Sequence, residues 1–191
     1  MRPMTQAQLA GHIRAHRPFN PQEAEDQRVM LRLLDTWDDL LGRANPVAHF
    51  TGSAWIVNRA RTKTLLVHHD LYRSWAWTGG HADGEADLLS VAMREALEET
   101  GLKAVVPILP DIATIDILPV WSHVKRGRFV ASHLHLNAAY LLEADENDPL
   151  TVREGENSGV KWVPLDEVDR YSSEPDMYPV YEKLTRLLAG R

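Results

Sequence analysis

The sequence predicts an α/β (α+β) sandwich, in which a mixed β-sheet carries helices on its faces and a helical extension precedes it. Two observations support this. Stretches at residues 48–57, 63–69, 103–106, 112–121, 132–142 and 159–163 are rich in β-branched and aromatic residues and read as strands. A capped amphipathic helix interrupts them at residues 88–100, and helical periodicity occupies both ends of the chain.

Taken in order, residues 5–16 carry a weak apolar stripe of Leu9 and Ile13, weakened by Gly11 and stopped by Pro18. Asn20 and Pro21 form an N-cap and N1 pair that opens a longer helix. Its stripe of Val29, Met30, Leu33, Leu34, Trp37, Leu40 and Leu41 carries it to near Gly42. Residues 1–45 are thus expected to be a helical extension, packed on the main domain of residues 46–191 or on a second copy in a homodimer. The run KRGR at 125–128 reads as a hairpin turn between strands 112–121 and 132–142. Residues 143–159 form an acidic loop with a short strand at 150–152, and residues 178–188 close the chain as a helix with Tyr181, Leu184, Leu187 and Leu188 on its apolar side.

Composition narrows the function. Hydrophobic content of 44% and charged content of 25% are those of a globular domain. A formal charge of −6 argues against binding a nucleic-acid polymer, whose phosphates are held by clustered Lys and Arg. It leaves open a small phosphorylated substrate, because a metal can carry the opposing charge. With no cysteine, disulfides and thiolate metal sites are excluded. No apolar run approaches the roughly 20 residues that span a bilayer. The N-terminus lacks a signal-peptide core, so the expectation is a cytoplasmic protein with no membrane partner.

The stretch GGHADGEADLLSVAMREALEETGL, residues 79–102, organises the rest. Asp87 is placed to cap the helix and Gly101 to end it in the left-handed conformation. Leu89, Ala92, Met93, Ala96 and Leu97 make the core-facing stripe. Glu95, Glu98 and Glu99 share another arc of roughly 100°. Taken alone, such a run is an ordinary solvated face with Arg94 and Glu98 as an i,i+4 pair. Bracketed by a Gly-Gly turn and a glycine stop, the repelling carboxylates instead call for a cation, and oxygen ligands suit a hard divalent ion, Mg²⁺ or Mn²⁺, better than zinc.

These residues resemble the signature of the Nudix hydrolases, G-x5-E-x7-R-E-U-x-E-E-x-G-U, with Gly80, Arg94, Glu95, Ala96, Glu98, Glu99, Gly101 and Leu102 in register. Ala86 stands where the first glutamate belongs, with Glu85 one residue early. The phrases SAWIV, HLHLNAAYLL and ENSGVKWVPLDEV extend the similarity over about residues 48–170. The resemblance implies a Nudix α/β/α sandwich and a metal-dependent hydrolase of pyrophosphate linkages in nucleoside di- or triphosphates, or in a nucleoside diphosphate linked to another moiety. It implies Glu98, Glu99 and the Gly79 carbonyl as metal ligands, Glu95 as a further ligand or the group that orients the water, and Arg94 as the group that holds the carboxylates; the base is a motif glutamate or a later loop acid, with Glu156 ahead of Glu154.

Other residues carry weaker signals. Arg73, Trp75, Trp77, His81 and His135 are candidate substrate contacts, while Trp37, Trp55 and Trp162 read as packing. His68, His69, His81, His133 and His135 admit a zinc reading, but the sequence specifies no third ligand beside His133 and His135. Two further function classes compete. A non-catalytic nucleotide-binding module would keep the fold without turnover. An isopentenyl diphosphate isomerase, similar in fold, would need a cysteine that this chain lacks.

Overall fold

The computed structural model describes residues 3–125 and 127–190. Its central strand is β1 (Ala48–Asn58), buried along its whole length. Alternation sends Phe50, Ala54 and Ile56 into one apolar cluster and Trp55 and Val57 into another on the opposite face. On one side β1 runs parallel to β9 (His133–Ala144), in register from Ala48↔Leu134 to Asn58↔Ala144. On the other it pairs antiparallel with β4 (Thr78–His81) and, at Val57↔Thr64, with β2 (Lys63–His69). Strand β2 also pairs with β3 (Ser74–Ala76) and β10 (Asn157–Pro164), while β9 pairs with β5 (Val106–Pro107) and β6 (Thr114–Val120). The sheet is mixed, as expected.

Helices cover both faces. Helices α1 (Gln6–Ala15) and α2 (Pro21–Thr36) bury Leu9, Ile13 and Met30 in the same cluster as Phe50 and Leu136. The short α4 (Val168–Tyr171) and α5 (Tyr178–Ala189) place Val168, Tyr181 and Leu184 against Trp55 and Leu141 on the other face. The N-terminal helices therefore pack on their own chain. Helix α2 also covers the free edge of β6: Glu23 Oε1 accepts from the Ile115 amide at 2.8 Å and Asp26 Oδ2 from the Ile117 amide at 2.9 Å. Glu23 and Asp116 are buried with Lys183 of α5, whose Nζ lies 2.6 Å from Asp116 and 3.4 Å from Glu23. Burial alone would raise the Glu23 carboxyl, but His16, the Phe19 and Ile115 amides and Lys183 together hold it below the usual range.

Three local expectations are corrected. Helix α2 stops at Thr36, not near Gly42. Asp35, Asp38 and Asp39 oppose the negative end of the helix dipole, and Trp37 is already extended. The strand expected at 103–106 reduces to β5, two residues long, and residues 150–152 form no strand because they are tethered to the end of the motif helix, with the Thr151 amide donating to Thr100 O at 2.8 Å. The KRGR run does lie in the connection between β6 and β9, but on a separate two-stranded arm of β7 (His123–Lys125) and β8 (Arg128–Val130). Gly127 there takes φ +76°, and Arg126 lies outside the described residues.

Candidate active site

The motif helix, α3, spans Leu88–Thr100 with the expected caps: Asp87 accepts from the Ser90 amide at 3.3 Å, and Gly101 has φ +72°. It lies tightly on β1, since a Cβ on Gly52 would come 2.5 Å from the Leu88 carbonyl. The face that docks is Leu88, Val91, Ala92 and Ala96, with Leu89, Met93 and Leu97 only partly buried. Glu99 stands three residues beyond Ala96 and so follows the docked face inward. It is 6% exposed, and its Oε2 accepts from the Gly79 amide at 3.4 Å.

Burial, and then the charge of Glu95, push the Glu99 carboxyl up to about 8. Gly80 is needed at the turn, because a Cβ there would fall on the Glu95 carboxylate. Ala86, at the position of the missing motif glutamate, is buried in the core, while Glu85 Oε1 accepts from the Asp87 amide at 2.9 Å and steadies the entry to α3.

The residue that reading the sequence missed is Arg153. Its Nη1 lies 3.3 Å from Glu95 Oε2, 2.9 Å from Glu98 Oε2 and 3.2 Å from Glu156 Oε2. Thr151 and Asn157 hold this loop to the end of α3, with Asn157 Nδ2 donating to Glu99 O at 2.9 Å and Asn157 Oδ1 accepting from the Arg153 amide at 3.1 Å. Its only sequence signal was being the one basic residue in the acidic segment 143–159. Arg94 Nη2 reaches Glu95 Oε1 at 3.2 Å.

The donor set fits a hard divalent cation. Glu95, Glu98 and Glu156 converge on Arg153, Glu95 and Glu99 border the glycine turn, and the buried Glu99 has no cation of its own within ion-pair distance among the described residues.

Beside this turn opens a cavity of about 1040 Å³. Trp77, Gly79, His81, Glu99 and His135 line it. Arg73 and Trp75 do not. Arg73 occupies a turn at φ +51°, and Trp75 packs against His68 and under Lys161 Nζ, 4.2 Å from its ring centroid. The cavity floor is one polar face of the sheet, where Thr51 and Ser53 donate to Asn137 Oδ1 at 2.9 and 2.7 Å. His49, His81 and His135 also converge there. Burial, followed by neighbouring charges, holds all three below the usual imidazole range, His81 at about 3 and His135 at about 2. Burial thus favours the neutral form of each ring.

A mixed-sheet sandwich with a glycine turn and a carboxylate helix packed on its central strand is the architecture of a Nudix domain. The chain belongs to the Nudix family: the NUDIX domain matches residues 49–186. It is 27% identical over 130 residues to a probable DHNTP pyrophosphohydrolase of Lactococcus lactis subsp. cremoris (strain MG1363), covering 65% of this chain and 74% of that protein. Its fold resembles an Ap4A hydrolase of C. elegans in a binary complex, with TM-score 0.53 and 19% identity over 74% of this chain and 98% of that one. It also resembles the NUDIX domain of Shewanella oneidensis NrtR complexed with ADP ribose, with TM-score 0.54 and 18% identity over 82% of this chain and 97% of that one.

Proposed function

We propose that the protein hydrolyses a pyrophosphate linkage in a nucleoside di- or triphosphate, or in a nucleoside diphosphate joined to another group, with Mg²⁺ or Mn²⁺ held by Glu95, Glu98, Glu99 and the Gly79 carbonyl. The observation that carries this reading is Glu99, a buried carboxylate among carboxylates at the rim of the cavity. Pyrophosphate resists attack because negative oxygens surround each phosphorus; a bound divalent ion supplies the opposing charge and lowers the pKa of water.

The chain's own residues supply the rest. Glu156 accepts the proton of the attacking water, from a loop that Asn157 ties to α3. Arg94 orients Glu95. Trp77, His81 and His135 line the cavity that would take the substrate. The names of the Lactococcus and C. elegans relatives put DHNTP and Ap4A on the substrate panel.

The test is product release with Mg²⁺ and then Mn²⁺ over nucleoside diphosphates, nucleoside triphosphates, DHNTP, nucleotide sugars and dinucleoside polyphosphates, with Glu98→Gln as blank. Hydrolysis of one class with a silent blank supports the reading. Binding without turnover across the panel replaces it with a nucleotide-binding module.

A further inference from the structure

We propose that His49, His81 and His135 form a three-imidazole site for a zinc-class divalent ion, chemically distinct from the carboxylate site on α3. Three strands of one rigid sheet supply the ligands. His49 of β1 stands directly opposite His135 of β9 in the parallel ladder, so both rings leave the same face. His81 of β4 pairs with Thr51, two residues along from His49, and joins that face. One ring nitrogen from each lies within 4.8 Å of the others. A tetrahedral ion with Zn–N bonds of about 2.0–2.1 Å needs nitrogens about 3.3 Å apart, a contraction that small side-chain rotations provide.

The hydrogen bonding points to the same role. The Nε2 atoms of His49 and His135 are buried without a partner, although buried polar atoms are normally bonded. His49 is 5% exposed, and its Nδ1 faces the Asn45 carbonyl at 3.5 Å. A carbonyl only accepts, so that contact puts the hydrogen on Nδ1 and leaves the Nε2 lone pair free, the backing that ligating histidines commonly have. His133 stands beside the triangle, its ring 4.9 Å from that of His49 and its Nδ1 2.9 Å from the Ala131 carbonyl. Three imidazoles leave a fourth position open toward the cavity, where water or a substrate oxygen completes the shell. Nitrogen ligands favour Zn²⁺, Co²⁺ or Ni²⁺, whereas the oxygen ligands of α3 favour Mg²⁺ or Mn²⁺, so the two sites separate by metal.

The metal-stripped full chain is titrated with Zn²⁺ in excess Mg²⁺, and with Co²⁺ read by visible absorption. One equivalent of Zn²⁺ and intense Co²⁺ bands of low-symmetry coordination are expected. His49→Gln, His81→Gln and His135→Gln should each weaken Zn²⁺ at least 100-fold with unchanged circular dichroism, while Glu98→Gln binds it as wild type does. Should one variant fail to fold, the other two decide. The proposal is overturned by the absence of saturable Zn²⁺ binding, or by binding that survives the folded histidine variants and disappears in Glu98→Gln. In those cases the imidazoles are cavity lining that contacts substrate directly. The readout is metal binding, so failure of the hydrolase reading leaves this result standing, and the reverse.

Discussion

Arg153 Nη1 lies 2.9 Å from Glu98 Oε2, so the guanidinium from the loop before β10 reaches into the carboxylate face of α3. The same nitrogen serves Glu95 and Glu156, and an arriving cation competes with it for the same oxygens. Arg153→Gln is therefore expected to lower the melting temperature of the metal-free protein and to tighten Mg²⁺ binding. Because Arg153 is 36% exposed, solvent screens the network, and the gain should be roughly threefold to tenfold. Calorimetric Mg²⁺ titration measures it; weaker binding in the variant would assign Arg153 to orienting the carboxylates.

Glu99 makes stability depend on pH. Its carboxyl rises from 4.5 to about 8 on folding, so the native chain holds this proton more tightly than the unfolded one. The contribution is fully present below pH 4.5 and is lost as pH rises through about 8. Metal-free wild type should thus lose melting temperature relative to Glu99→Gln between pH 5 and 8.5, and Mg²⁺ affinity should rise over the same window as its ligand deprotonates. Parallel pH profiles for the two proteins would contradict this.

Two glycines should fail differently. Gly52→Ala brings Cβ 2.5 Å from the backbone carbonyl of Leu88, which cannot swing aside, and should cost about 1–3 kcal/mol in urea denaturation. Gly80→Ala meets the side chain of Glu95, which can move. Its stability should stay near wild type while Mg²⁺ binding falls at least tenfold; a matched loss of stability in both variants would sink the distinction.

Lys183 holds the N-terminal helices to the sheet through buried charges. Lys183→Met leaves Asp116 and Glu23 without their cation and should cost about 3–5 kcal/mol in denaturant melts. The double variant Lys183→Met, Asp116→Asn should recover part of that loss. A cost under 1 kcal/mol would show that the ion pair contributes little.

Helix α3 was legible because its signals are local: Asp87 and Gly101 lie at its own ends, and its carboxylates are spaced by its own turns. Strand β2 was legible for the same reason, as a short β-branched run between turns. The two-residue β5 was over-read, since β propensity does not show whether a neighbour is there to pair with. The β7–β8 arm was read only as a turn because its few residues pair with each other and not with the main sheet.

By itself the sequence determined the class of fold and the helix that bears the carboxylates, because periodicity and capping act within a few residues. Only the tertiary structure decided that Arg153 enters that cluster from a loop 58 residues beyond Glu95, that Glu99 alone is buried, and that His49 joins His81 and His135. Strand register and the docking of α3 on Gly52 bring these groups together, and no local pattern encodes contacts between residues so distant along the chain.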